Sequence, residues 1–215
     1  GMKELIGDNF MIVNSYEAVD RWGWGYPLIH GMTFDEWWDL PKEPRVTISL
    51  SPGGLDKYYN RQLITFIKGR VKEKTGYDVY HVGVNFKPTT WDEYRKFMGE
   101  SLIQIYPFLD SPMPRSRTEA MLSGCCVLSS KYHGAEDFID HGKEGFIMPD
   151  NPESYSELID ELINNHFKDC IEIGQKAKKK AQKLFNIDRY HKDLYHVIKE
   201  VSEGRKPVWG RTKIW

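Results

Sequence analysis

The sequence predicts an α/β protein, a doubly wound and mostly parallel sheet covered by helices on both faces, over about residues 44–175. Two observations carry that reading. Short apolar runs rich in β-branched residues recur from Val46 onward, and a helix-length stretch separates each from the next. Strands joined through helices are crossover connections, which make neighbouring strands parallel and bury both faces of the sheet.

The first strand is Val46–Leu50, closed by the turn signal Ser51-Pro52-Gly53-Gly54. Leu63, Phe66, Ile67 and Val71 then recur at helical spacing until Gly76, and Val79–Val82 is the second strand. Thr90 followed by Glu93 has the form of a capping box, each side chain accepting from the other's free backbone N–H. The helix it opens is expected to bury Tyr94 and Phe97 and to run to about Glu100. Strand three, Leu102–Tyr106, leads into a proline-rich loop, Pro107–Arg117, and a short helix over Thr118–Ser123 stops at Gly124, a left-handed cap. Cys125–Leu128 is strand four; a turn at His133-Gly134, a brief helix and Gly142 precede strand five, Phe146–Met148. Asn151 caps a helix with Pro152 at its first position, and Leu158, Ile159, Leu162 and Ile163 line one face. A last helix carries Tyr190, Leu194, Val197, Ile198 and Val201 on a single stripe.

Residues 1–43 stand outside this rhythm. Asn9–Val13 reads as a strand and Thr33–Glu36 as a capped helical turn, with Trp22, Trp24, Tyr26, Trp37 and Trp38 crowded around them. The segment is too short for a core of its own and too aromatic for a linker, so it is expected to lie on the main domain or on a neighbour outside the chain.

Composition narrows the function classes. The 215 residues are 40% hydrophobic and 28% charged, which is globular rather than disordered. Thirty basic against 31 acidic residues leave a net charge of −1, which excludes bulk capture of nucleic acid, although a local basic patch can still hold a phosphate. Cys125, Cys126 and Cys170 lack metal-ligand spacing and read as small buried side chains in a reducing cytoplasm. No apolar run approaches the ~20 residues of a spanning helix, and no signal peptide is read. Lys176, Lys178, Lys179, Lys180 and Lys183 read as a solvated helix face, or as a peripheral contact with anionic lipid. The sequence has neither a Gly-x4-Gly-Lys-Ser/Thr loop nor Gly-x-Gly-x-x-Gly, which removes the commonest ATPase and dehydrogenase readings.

In an open parallel sheet the ligand crevice lies beyond the carboxyl ends of the strands, where Ser51–Arg61, Gly83–Thr89 and Pro107–Thr118 fall. The first loop combines Gly53 and Gly54, which permit close backbone approach, with Lys57 and Arg61, which can neutralise a diphosphate; solvated cations after a Gly-Gly turn are the plainer reading. In the third, Arg115, Ser116, Arg117 and Thr118 run into a helix N-terminus, where free N–H groups favour an anion. Glu119 in that first turn either complements the helix dipole or accepts hydrogen bonds from vicinal hydroxyls. His133 is a candidate on the cleft side, or an ordinary polar loop residue.

The runs Ser101–Pro107, Thr118-Glu-Ala-Met-Leu-Ser-Gly124 through Ser130, His133–Ile139 and His141–Pro149 resemble the C-terminal half of GT-B glycosyltransferases of the group 1, family 4 type. The resemblance covers about residues 45–200 and implies one Rossmann-like half of a two-domain enzyme, the half that binds a nucleotide-diphosphate sugar. It also implies an N-terminal acceptor domain absent from the chain, supplied in cis or as a separate chain. Residues 1–43 would then be a hinge and N-domain remnant, and residues 176–215 would brace that missing domain. The implied activity is a retaining hexosyl transfer in glycan biosynthesis, in the cytoplasm or at the inner face of the membrane. The isolated chain would be inactive or weakly active.

By the same resemblance Glu119 holds the ribose hydroxyls, Lys57 and Arg61 hold the diphosphate, and Ser111, Asp110 and His133 lie near the sugar. Eight residues before Glu119 the family has a glutamate where this chain has Ser111, and the family's loop glycine corresponds to about Pro114, which has no N–H. Arg115 and Arg117 can supply charge in its place. No two aspartates lie two apart as in an Asp-x-Asp metal site, so no metal and no cofactor are expected; Lys57, Arg61 and Arg115 would stabilise the leaving diphosphate. Two rival readings remain: a nucleotide- or glycan-binding module without transferase chemistry, and a nucleotide-sugar epimerase.

Overall fold

The computed structural model describes residues 2–49, 60–108, 114–131 and 138–207. Gly53, Gly54, Lys57, Asp110, Ser111 and His133 lie outside the described residues, as do the turns expected at 51–54 and 133–134. In chain order the first elements are α1 (Met2–Ile6), β1 (Ile12–Val13), α2 (Tyr16–Trp22), β2 (Tyr26–Pro27), β3 (Glu43–Ile48), α3 (Arg61–Thr75), β4 (Val79–His81) and α4 (Trp91–Glu100). There follow β5 (Ser101–Tyr106), α5 (Arg115–Leu122), β6 (Cys126–Ser130), β7 (Gly145–Met148), α6 (Pro152–Asn164), α7 (Phe167–Leu184) and α8 (Ile187–Ser202). Among the described residues no helix is long and apolar enough to cross a membrane.

The chain divides into two compact units, Thr33–Lys183 and a smaller one made of Gly1–Met32 and Leu184–Trp215. In the smaller unit β1 and β2 pair in parallel, Ile12 opposite Tyr26, and Ser15 caps α2 by accepting from the Ala18 N–H. Only Ile12 and Val13 of the strand expected at Asn9–Val13 are extended in a ladder. Asn186 caps α8, whose Arg189 donates to the Ile29 carbonyl at 2.8 Å, while the His30 ring stacks on Phe185 at 5.0 Å.

The larger unit holds one parallel sheet in the order β4-β3-β5-β6-β7, as the alternation of strands and helices predicts. All 6 residues of β5 are buried, the mark of a strand covered on both faces. Helix α3 packs on α6, whereas α4 lies on β3 and α5 on β5 and β6. The strand order reverses between β3 and β5, so their carboxyl ends make the switch-point crevice of the sheet.

Several local expectations shift. In α3 the buried stripe is Leu63, Ile64, Ile67 and Val71, and Phe66 is 55% exposed. At 100° per residue Phe66 points more than a right angle away from the middle of that stripe. The capping box at α4 is half as expected: Thr90 accepts from the Glu93 N–H at 3.1 Å, but the Glu93 carboxylate reaches one residue further back, to the Thr89 N–H at 2.7 Å. Helix α5 begins at Arg115 rather than Thr118, because Pro114, whose φ of −67° suits a helix entrance, is its N-cap. The lysine run splits: Lys176, Lys179 and Lys183 are exposed, while Lys178 pairs with Asp39 at 2.9 Å and Lys180 with Glu144 at 3.3 Å.

Residues 33–43 and 176–183 belong to the larger unit for identifiable reasons. Trp37 is 5% exposed and meets Tyr94 edge-on at 6.1 Å. The Lys42 side chain is 3% exposed, 3.4 Å from Asp39, and its ammonium donates to the carbonyls of Gly99 and Ser123 at the ends of α4 and α5. Asp39 in turn accepts from Gln175 and Lys178 of α7 at 2.9 Å each. Burial works to raise the Asp39 carboxyl, but those two hydrogen bonds and the charges of Lys42 and Lys178 outweigh it and hold it below the usual range. Further along α7, Gly174 lies against the backbone of Gly124 (φ 72°) so closely that a Cβ there would fall 2.1 Å from the Gly124 oxygen.

Two stability measurements follow from this packing. Gly174→Ala must push two backbones apart and is expected to cost on the order of 4 kcal/mol, whereas Gly69→Ala, mid-helix in α3 with nothing within 4 Å of its Cβ, should gain about 0.5–1 kcal/mol. Asp39→Ala leaves the Lys42 ammonium without its anion and should cost about 3 kcal/mol by denaturant unfolding. Since the folded Asp39 pKa is depressed, its contribution is present above the unfolded value of about 3.9 and is lost as pH falls through the folded value, so wild type and variant converge in acid.

Candidate functional site

The carboxyl ends of β3 and β4 and the N-terminal turns of α4 and α5 enclose a cavity of about 450 Å³, lined by Ser49, Val82, Gly83, Pro88, Thr89, Thr90, Trp91, Tyr94, Ser116 and Glu119. Each wall has a local cause. Gly83 takes φ 83° in the turn after β4, donating its N–H to the Phe86 carbonyl, and Thr90 stops the chain as the N-cap of α4. Trp91 follows at the first helical position and is 63% exposed at the rim.

Glu119 is only 6% exposed. Its Oε2 accepts from the Tyr94 hydroxyl at 2.9 Å, and its Oε1 lies 3.5 Å from Nε of Arg115, whose side chain is 72% exposed. Burial pushes the Glu119 carboxyl up, with the Tyr94 hydrogen bond and the Arg115 charge working the other way. Burial, then the Tyr94 hydroxyl, push the Tyr106 hydroxyl up from below; Ser116 acts in the opposite sense and Glu119 adds to the rise.

The two helix N-termini differ in what they can still bind. At α4, Asp92 and Glu93 occupy the first turn and already complement the dipole. At α5 there is no acidic residue in the first turn and no side-chain cap, so the partial positive charge there faces the cavity beside Ser116. The N-terminus of α3 comes to the same edge, where the Asn60 N–H donates to the Pro107 carbonyl at 3.4 Å and Asn60 caps the helix with Arg61 as its first residue.

Of the residues singled out from sequence, Ser116 and Glu119 line the cavity and Arg115 stands over Glu119, while Arg61 is exposed at the start of α3. Arg117 and Thr118 are each 1% exposed; the Arg117 guanidinium packs 5.5 Å from the Phe138 ring, inside the protein rather than on the cavity wall. Gly53, Gly54, Lys57, Asp110, Ser111 and His133 fall outside the described residues. Tyr94, Trp91 and Ser49 were not anticipated as site residues: Tyr94 reads as an ordinary core position, and its partner Glu119 is 25 residues away. Among the described residues no three His, Cys, Asp or Glu side chains cluster as metal ligands would.

Residues 79–180 match the family model of glycosyl transferases group 1. A stretch of 91 residues is 30% identical to spore coat protein SA of Bacillus subtilis, covering 41% of this chain and 24% of that protein. The fold is similar to that of Anabaena Alr3699/HepE, solved in complex with UDP-glucose: TM-score 0.72 at 15% identity, over 92% of this chain and 66% of the other. It is also similar to the C-terminal domain of a glycosyl transferase group 1 family protein, LpcC, from Francisella tularensis, with TM-score 0.59 at 13% identity, over 73% of this chain and 100% of that domain. The chain thus spans about a quarter of the curated relative's length and about two thirds of the Anabaena protein's.

Ionisation of Glu119 sets a stability test of its own. The folded carboxyl holds its proton more tightly than the unfolded one, so its burial stabilises the fold in acid and that contribution is lost as pH rises past the unfolded value. Ligand-free Glu119→Gln, which can still accept from Tyr94, should therefore unfold at a higher temperature than wild type at neutral pH. The difference should close near about pH 4.

Proposed function

We propose that this chain, a C-terminal-type domain of the GT-B fold whose residues 79–180 match the group 1 glycosyltransferases, binds the nucleotide of a nucleotide-diphosphate sugar in the cavity at the switch point. One observation carries the reading: a nearly buried carboxylate, Glu119, forms part of the wall of a cavity large enough for a nucleoside, beside a helix N-terminus that lacks both acid and cap. A carboxylate of this kind accepts two hydrogen bonds from a vicinal diol, and ribose supplies one. Trp91 at the rim offers a flat apolar surface for the base.

The diphosphate then lies toward the α5 N-terminus, with Arg115 and Arg61 on that side and Lys57 on the preceding segment. These cations and the helix end stabilise the negative charge that grows on the leaving diphosphate, which is the role a divalent ion takes in metal-dependent transferases. Transfer of a hexose with retention to an acceptor held by a further domain completes the proposal, with glycan as product. Three free, buried cysteines suit a reducing compartment such as the cytoplasm.

A second reading, a module that binds nucleotide or glycan without transfer, is favoured by Pro114. It is the N-cap of α5, and it has no N–H to offer a donor sugar. Adding the acceptor half and following donor hydrolysis and transfer separates the two: turnover supports the enzyme, and tight nucleotide binding without turnover supports the module.

Calorimetric titration with UDP, GDP and ADP tests the site. One of them should bind; Glu119→Ala should weaken it about 5- to 150-fold and Trp91→Ala about 10-fold. Unchanged affinity in both variants would place the nucleotide elsewhere.

A further inference from the structure

We propose that Tyr94 is a positioning residue for Glu119: it occupies one carboxylate oxygen from the protein side and so presents the other to the ligand. The inference rests on the nucleotide site argued above. The two oxygens of Glu119 have different surroundings. Oε2 accepts from the Tyr94 hydroxyl at 2.9 Å, and Oε1 lies 3.5 Å from Arg115, whose side chain is largely exposed. Tyr94 itself has little freedom, being 8% exposed and held edge-on by Trp37 at 6.1 Å and Trp91 at 5.6 Å. Ser49, just past β3, lines the same cavity, its hydroxyl donating to Met98 Sδ at 3.6 Å. The Tyr94–Glu119 hydrogen bond therefore ties α4 to α5 beside the switch point.

A buried anion without fixed donors either takes up a proton or rotates toward a cation. Among the described residues, the titratable groups that act on Glu119 are Tyr94 from α4, Tyr106 from β5 and Arg115 from its own helix. Only the Tyr94 hydroxyl is a fixed, short-range donor among them. Without it the carboxyl is protonated at higher pH, or swings to Arg115 and away from the cavity. In either state the diol loses acceptors. Trp91, which we assign to the base, touches the Tyr94 ring, so the same side chain links the base end of the cavity to the ribose end.

Tyr94→Phe keeps the ring and removes the hydroxyl. Titrated with UDP, GDP and ADP across pH, it should bind the preferred nucleotide about 5- to 30-fold more weakly than wild type, and its binding should fail at a higher pH on the acid side. Tyr155→Phe, which takes a hydroxyl from a buried tyrosine of α6 that does not line the cavity, should change neither. Fluorotyrosine at position 94, an isosteric stronger donor, should move the acid limit the opposite way and keeps the test available if the phenylalanine variant folds poorly. Equal affinity and an equal acid limit in wild type and both Tyr94 variants overturn the positioning role while leaving the site in place. If wild type binds none of the three nucleotides, the site reading fails and the positioning role fails with it.

Discussion

A single ammonium holds this domain in register. Lys42 stands just ahead of β3, almost wholly buried, and donates to the last carbonyls of α4 and α5, whose dipoles leave negative charge at those ends. A buried cation is costly unless it is hydrogen-bonded and paired, and here Asp39 completes the set while being tied to α7. The opposite ends of the same two helices form walls of the cavity. Their separation there is fixed by a second tie, from Tyr94 of α4 to Glu119 of α5. The site is thus held between two polar contacts, one at each end of the helix pair.

The arrangement also decides which helix dipole remains available. Both α4 and α5 aim their N-termini at the carboxyl edge of the sheet, but α4 spends its positive end on its own Asp92 and Glu93. Helix α5 starts from a proline with no acid in its first turn, and Glu119, which accepts from Tyr94, sits a full turn further along. The uncompensated end and the cavity-lining carboxylate therefore belong to one short helix.

Much of the sheet was legible because strands covered on both faces are nearly continuous apolar runs, as in Leu102–Tyr106 and Cys125–Leu128. Glu119 was legible through a motif. What escaped depended on contacts between distant residues or on helices with no clear face. Six of the eight residues of α5, Arg117 among them, are buried, so no periodicity separates ligand-facing positions from inward ones, and the helix start at Arg115 has no side-chain cap to announce it. Tyr94 looked like core because its ring is core; only its hydroxyl, paired across 25 residues, is not. The lysines of α7 read as one solvated face, yet Lys178 and Lys180 reach partners 139 and 36 residues away. The limits of the larger unit, Thr33 and Lys183, have no local signal for the same reason, since Trp37, Asp39 and α7 are joined to it by long-range packing.

The contact between Gly174 and Gly124 bears on where this domain can be cut. The glycine that ends α5 has its backbone covered by α7, with no space for a side chain on the covering residue. A fragment that stopped after α6 would contain every strand and the whole cavity wall, yet it would leave the Gly124–Cys125 turn bare and Lys42 short of the residues that steady Asp39. The smallest autonomous version of the domain therefore extends through α7. Any exchange of this unit between related folds has its natural seam after residue 183, not at the last strand.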